Sequence, residues 1–97
     1  MRYEFHPEAL LEYDEAAQYY ASRQSGLDLT FILRVEAAIE SILEDPYRWR
    51  VIEEDVRRCL TRVFPYAILY TIEADFVLIV AVAHCSREPE YWKQRLQ

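Results

Sequence analysis

The stretch Val56–His84, VRRCLTRVFPYAILYTIEADFVLIVAVAH, decides the fold. It divides into three runs rich in Val, Ile, Leu, Tyr and Phe: Val56–Phe64, Ala67–Glu73 and Phe76–His84. Pro65-Tyr66 and Ala74-Asp75 separate them as turns, so the spacing predicts three consecutive strands. The last run is apolar on both faces. That pattern predicts a central strand, or one with a second covered face.

The chain before this stretch changes period. Arg2–Phe5 alternates and predicts a short first strand, and Pro7 then stands where a helix accepts proline, at its first position. Glu8 complements the helix dipole there. Leu10, Tyr13, Ala17 and Tyr20 recur at steps of three and four up to about Gln24, with Glu8, Glu12 and Glu15 off the stripe. Ser25-Gly26 closes this helix, Gly26 serving as a left-handed C-cap. Asp28 caps a second helix with a broader stripe of Ile32, Val35, Ile39 and Ile42, beside Phe31, Ala38 and Leu43. Asp45-Pro46 stops it, because the residue before proline avoids helical geometry. Tyr47–Asp55 reads as a connection with a short strand at Arg50–Ile52. Pro89 opens a short terminal helix from Glu90 to about Leu96. The order β-α-α-β-β-β(-α) predicts a single α+β domain over residues 1–97, a helical hairpin packed on one face of an antiparallel sheet.

Composition removes whole classes of chemistry. Gly26 is the one glycine and asparagine is absent. Gly-rich phosphate cradles, dinucleotide fingerprints, the calcium loop and the nucleophile elbow all need glycines that this chain lacks. Two cysteines and two histidines, with neither CxxC nor HExxH, give no basis for a structural zinc site, and no cofactor is expected. The polar opening Met1–His6 offers no secretory segment. The longest apolar run, Phe76–Ala83, is eight residues where a membrane span takes ~20. These features predict a cytoplasmic protein with Cys59 and Cys85 as free thiols and no membrane partner.

The net charge of −6 is unevenly spread. Residues 1–45 carry ten acidic and three basic side chains; residues 46–97 carry seven acidic and eight basic. Ten of the eleven cations are arginine, Lys93 being the exception. Arginine in such excess points to planar, bidentate contacts with carboxylate or phosphate, or to pairing with the acidic helices. The expectation is anionic helices behind and guanidinium groups gathered on the sheet.

Several pieces in order carry a family resemblance: Pro7-Glu8-Ala9 opening the first helix, Tyr19-Tyr20 near its end, and Ala38-Ile39 to Ile42 before Pro46. Arg57-Arg58 follow, then Phe64-Pro65-Tyr66 with Tyr70, and His84 with Arg87-Glu88-Pro89-Glu90-Tyr91-Trp92. Along nearly its whole length the chain resembles the RelE/ParE superfamily of bacterial type II toxin–antitoxin systems, in its ParE-like, plasmid-stabilisation branch. The resemblance implies a growth-inhibiting toxin neutralised by a cognate ParD/RelB-like antitoxin that wraps an amphipathic segment around it. Members either poison DNA gyrase or cut messenger RNA in the ribosomal A site. The antitoxin often carries the DNA-binding domain, so this chain would meet DNA only indirectly.

RNA cleavage would need a base, an acid, and cations for the charge that builds between them. His84 is the plausible proton carrier. Arg58 and Arg62, four apart on an expected strand, would share a face with Leu60 and Phe64, and Arg87 and Tyr91 would aim at the same pocket. The nuclease set is thus His84, Arg58, Arg62, Arg87 and Tyr91. Two features oppose it. Ribonuclease relatives usually read Gly-Tyr-Arg where this chain has Pro65-Tyr66-Ala67, and a net charge of −6 approaches ribosomal phosphate against repulsion. A gyrase-binding patch of Arg58, Arg62, Arg87, Tyr91 and Trp92 needs no acid–base pair, and these residue types are enriched at binding hot spots. The expected activity is gyrase poisoning, with a ribosome-dependent endoribonuclease or an inactive antitoxin-binding remnant as alternatives.

Plainer roles remain open for each residue. His84 could satisfy backbone groups at a strand end, and Arg57 or Arg58 could pair with Glu53, Glu54 or Asp55. Tyr91 and Trp92 could anchor the terminal helix, while Tyr13 and Tyr20 belong to a core stripe. Grooves at the edges of the acidic helices suit an amphipathic antitoxin helix with basic residues at its rim.

Overall fold

The computed structural model describes residues 1–96. Its elements are β1 (Arg2–Phe5), α1 (Pro7–Arg23), α2 (Leu27–Glu44), β2 (Val51–Glu53), β3 (Val56–Leu60), β4 (Tyr66–Ile72) and β5 (Phe76–His84), followed by a 3₁₀ turn at Lys93–Leu96. The strands form one sheet in the order β1-β5-β4-β3-β2. The expected α+β architecture is present, with the helical pair on one face. One pairing refines it: β1 runs parallel to β5, from Arg2 against Phe76 to Phe5 against Ile79, so the sheet is mixed. Local alternation shows that a strand exists. Its direction is set by where the chain returns after the helical crossover.

Both helices form where expected, but the buried face of α1 is Ala9 and Ala16 flanked by the half-buried Tyr13, Ala17 and Tyr20, while Leu10 is 53 % exposed. His6 caps α1, its Nδ1 accepting the Glu8 amide, and Pro7 supplies a preset first-turn geometry. The helix ends at Arg23, and Gly26, with φ of 84°, belongs to the start of α2 rather than to the end of α1. Its carbonyl accepts the amides of Leu29 and Thr30, opening the second helix. The connection is so short that a single left-handed residue makes the whole reversal. Asp28 therefore sits in the first turn of α2 and makes no capping bond.

Two clusters of buried residues flank the sheet. Beneath the helices, Phe31, Val35, Ile39 and Ile42 of α2 pack on Cys59, Ile68, Tyr70, Val77, Ile79 and Val82. Rings of Tyr20, Phe31, Phe64 and Tyr66 join them with centroids 4.8 to 5.2 Å apart along the Tyr20–Phe64, Phe31–Phe64 and Phe31–Tyr66 contacts. Full burial of each such aromatic or branched side chain contributes roughly 1.5–3 kcal/mol, which is why the stripe outranks local preference. On the opposite face Val56, Ala67, Leu69, Val80, Ala81 and Ala83 are covered by Trp92, with Tyr91 and Leu96 beside it. This explains a last strand apolar on both sides.

A bulge in β5 couples these layers. Leu69 pairs with Ala81 and Tyr70 with Ile79, leaving Val80 without a partner in β4. The extra residue inverts the alternation: Val77 and Ile79 face the helices, and beyond the bulge Val82 does.

Three expected boundaries are corrected. β3 ends at Leu60 instead of continuing to Phe64, because Val63 adopts a left-handed φ of 76° and Thr61 Oγ1 donates into the turn at the carbonyls of Phe64 and Tyr66. The short strand after the connection is Val51–Glu53 rather than Arg50–Ile52. The terminal helix from Glu90 is absent: Glu90 has φ of 69°, a break no right-handed helix accommodates, and only Lys93–Leu96 winds into a 3₁₀ turn.

Candidate functional site

The face of the sheet opposite the helices carries a cleft of about 310 Å³. Ala67, Leu69 and Ala83 of the central strands make its floor, with Trp92 packed at one side. Arg58 reaches it from β3, His84 from the end of β5, and Cys85, Arg87 and Tyr91 from the segment that follows. Glu53, Glu88 and Glu90 stand at the rim, where Lys93 pairs with Glu90 at 3.1 Å and Glu53 at 3.8 Å.

The cleft thus brings together Arg58, His84, Arg87, Tyr91 and Trp92, and does not bring Arg62 with them. Arg58 shares the face of Val56, as alternation requires, but the left-handed turn after Leu60 carries Arg62 round to the helix side. There it lines a separate cleft with Arg34, Arg48 and Cys59. The cations are consequently not gathered on one face: Arg58 and Arg87 line this cleft and Arg34, Arg48 and Arg62 the other. Of the Lys and Arg side chains, only Arg2, Lys93 and Arg95 make ion pairs among the described residues. Arg57 does not pair with Glu53, Glu54 or Asp55. It donates to the carbonyls of Tyr47 and Trp49 and so holds the long connection against β3.

Each group in the cleft has a defined freedom. The Arg87 guanidinium lies 3.8 Å over the Tyr91 ring, a cation–π contact. The His84 ring packs edge-on to Tyr66 at 5.1 Å, and its Nδ1 accepts the Ser86 amide at 3.0 Å with the Ser86 hydroxyl 2.7 Å away. The Tyr91 hydroxyl donates to Glu12 Oε2 at 2.6 Å; burial first, and then this bond, push its ionisation well above the usual phenol range. Trp92 is 3 % exposed and forms wall more than contact surface.

Glu12 organises the segment behind the cleft. Besides Tyr91 it accepts both terminal nitrogens of Arg95 at 2.9 and 3.0 Å, and its Oε1 accepts the Val82 amide at 3.0 Å. Arg95 also donates to the Val80 carbonyl at 3.0 Å. Beyond Ile79, β5 has no β1 neighbour, so these two side chains satisfy backbone groups on its outer rim. Sequence reasoning gave Glu12 no role beyond an acidic residue off the stripe, and singled out neither Arg95 nor Ser86. Partners 70 to 83 residues away leave no local signal.

Chemically the cleft offers two guanidinium groups without carboxylate partners, one imidazole held through Nδ1, and an aromatic wall. No cluster of metal-ligating side chains occurs among the described residues, and no helix there is long and apolar enough to cross a membrane. Cys59 is buried and Cys85 exposed, both free.

Comparison with known proteins gives these features a setting. Nothing among curated protein sequences matches the chain. A solved chain of the "Chromosomal ParDE TA system from P. aeruginosa" superposes with a TM-score of 0.74 at 13% identity, over 87% of this chain and 95% of that one. At that identity the likeness speaks for the fold. Residues 3–89 match the family described as ParE toxin of type II toxin-antitoxin system, parDE. That span includes β1 from its second residue, both helices, every later strand, and the Arg58, His84 and Arg87 positions of the cleft, and on it the chain belongs to the ParE toxin family.

Proposed function

We propose that this toxin arrests growth by binding DNA gyrase through the Arg58–Arg87 cleft, and that a ParD/RelB-like antitoxin silences it in the cytoplasm. One observation carries the choice of a binding role over RNA cleavage. The Tyr91 hydroxyl is committed to Glu12 at 2.6 Å, so it is not free to serve beside His84 as a second proton-transfer group. Two guanidinium groups that form no ion pair, beside aromatic surface, suit an acidic protein patch. Arg62, on the other side of the sheet, falls outside this target-binding set.

A messenger-RNA endoribonuclease is the second reading, favoured by the Ser86 contacts, which fix the His84 ring as a proton carrier would need. Induced expression separates the two. Gyrase binding predicts an SOS response and filamentation with bulk mRNA intact, abolished by Arg58→Glu and retained by His84→Ala. Rapid transcript cleavage on translating ribosomes, lost in His84→Ala, would replace this reading with the nuclease. Harmless expression of the wild type would identify an antitoxin-binding remnant.

A further inference from the structure

The second cleft, about 260 Å³, lies between the C-terminal half of α2 and the end of β3, on the helix side of the sheet. Arg34 enters it from α2, Arg48 from the connection after α2, and Arg62 from the turn after β3. No carboxylate lines it. None of the three guanidinium groups donates a hydrogen bond or joins an ion pair among the described residues. Three such cations on separate elements repel one another, and in a chain of net charge −6 there are carboxylates enough to have paired them. Arg62 is held there by a turn with strain in it: Val63, β-branched and 77 % exposed, keeps a φ of 76° with no packing to reward it. Ser41 and the half-buried Trp49 complete the walls, with Arg48 lying 5.1 Å over the indole ring.

We propose that this cleft binds the phosphate group of a small phosphorylated molecule, mononucleotide-sized or smaller. Guanidinium forks match phosphate oxygens in geometry as well as charge, and three of them with a serine hydroxyl could donate to all the oxygens of one monoester. A walled space of this volume takes a phosphate and its first substituents. The overall negative charge disfavours a long polyanion while leaving a small one free to enter. This site is separate from the Arg58–Arg87 cleft, and nothing in it depends on how the toxin meets its target.

Titration of the full-length chain, followed by ¹⁵N amide, arginine and indole resonances, tests the proposal. Inorganic phosphate and adenosine 5′-monophosphate are added at ionic strength held constant with chloride. The expected result is saturable shifts at Arg34, Ser41, Arg48, Trp49 and Arg62, with a dissociation constant of roughly 1 mM or tighter. Arg34→Gln and Arg62→Gln should each weaken binding about tenfold, as loss of a charge-assisted pair does, while Arg87→Gln leaves it unchanged. Equal affinity for both probes would identify free phosphate as sufficient, and tighter binding of the nucleotide would add recognition of its organic part; both support the site. Shifts that never saturate, that Arg87→Gln weakens equally, or that a glutamate-rich peptide produces when phosphate does not would overturn it.

Discussion

Glu12 and Arg95 stand 83 residues apart in the chain and meet in a two-bond fork of 2.9 and 3.0 Å. Their side chains are 14 % and 7 % exposed, so neither charge has water to fall back on if the other is removed. The fork therefore acts as a clasp that keeps the last turn of chain on the far face of the sheet.

Removing half of this clasp should be costly. Glu12→Leu leaves a buried guanidinium with only the exposed Glu8 carboxylate, 3.8 Å away, as partner, and the expected loss is about 3 kcal/mol in urea unfolding, with Trp92 emission shifted to longer wavelength. Glu12→Leu combined with Arg95→Leu should recover part of that loss, because a matched apolar pair carries no stranded charge. A Glu12→Leu variant as stable as the parent would show that the fork does not anchor the segment.

Alkaline pH should weaken the fold through two buried acids. Burial pushes the Cys59 thiol up from 9.0 to about 11, with Arg48 opposing, and burial likewise raises the Tyr70 phenol to about 12. The folded chain keeps protons that the unfolded chain releases earlier, so this stability is fully present below about pH 9 and is lost as pH rises through about 11. For Cys59 alone the loss is on the order of 2 kcal/mol. Urea midpoints at pH 8 and pH 10.5 check it, and Cys59→Ala should flatten the difference.

Two left-handed positions make opposite predictions. Gly26, at φ of 84°, has open space around the place a Cβ would occupy, so Gly26→Ala should destabilise by about 1 kcal/mol through backbone conformation alone. Val63 already bears that kind of penalty on an exposed side chain, and Val63→Asn should stabilise by roughly 0.5–1 kcal/mol. Thermal melts of both variants beside the parent suffice; shifts of the same sign would contradict the assignment.

Arg58 and Arg87 should separate activity from stability. Neither makes an ion pair among the described residues, so Arg58→Ala and Arg87→Ala should each change unfolding free energy by no more than about 0.5 kcal/mol. Growth arrest on induction should fall sharply in both. Variants that melt early as they lose toxicity would mean the residues support the fold instead.

Much of this architecture was legible in local patterns. The stripes of α1 and α2 fall where Tyr13, Ala17, Val35 and Ile39 placed them, and Pro65 and Ala74-Asp75 mark the strand ends, because burial of a periodic face is written within a few residues of itself. Arg58, His84 and Arg87 do share a cleft, since alternation along β3 and the end of β5 fixes their face. What escaped local reading depends on torsions or on distant partners. β3 stops at Leu60, so Arg62 leaves the strand's alternation in the turn that Val63 completes, and Val80 inverts the pattern of β5 through one surplus residue. Glu12 draws its meaning from Tyr91, Val82 and Arg95. Local sequence marks Gly26 as left-handed but not as the start of α2, because a reversal this tight borders both helices.

The stub of β5 past Ile79 has one further consequence. An uncovered strand margin is where identical chains zip together, and a toxin made ahead of its antidote would risk exactly that kind of clumping. By plugging the Val80 carbonyl and the Val82 amide with Arg95 and Glu12, the chain denies a second copy its first two rungs. The same carboxylate that fastens the tail thus also occupies a pairing group that a second copy would need.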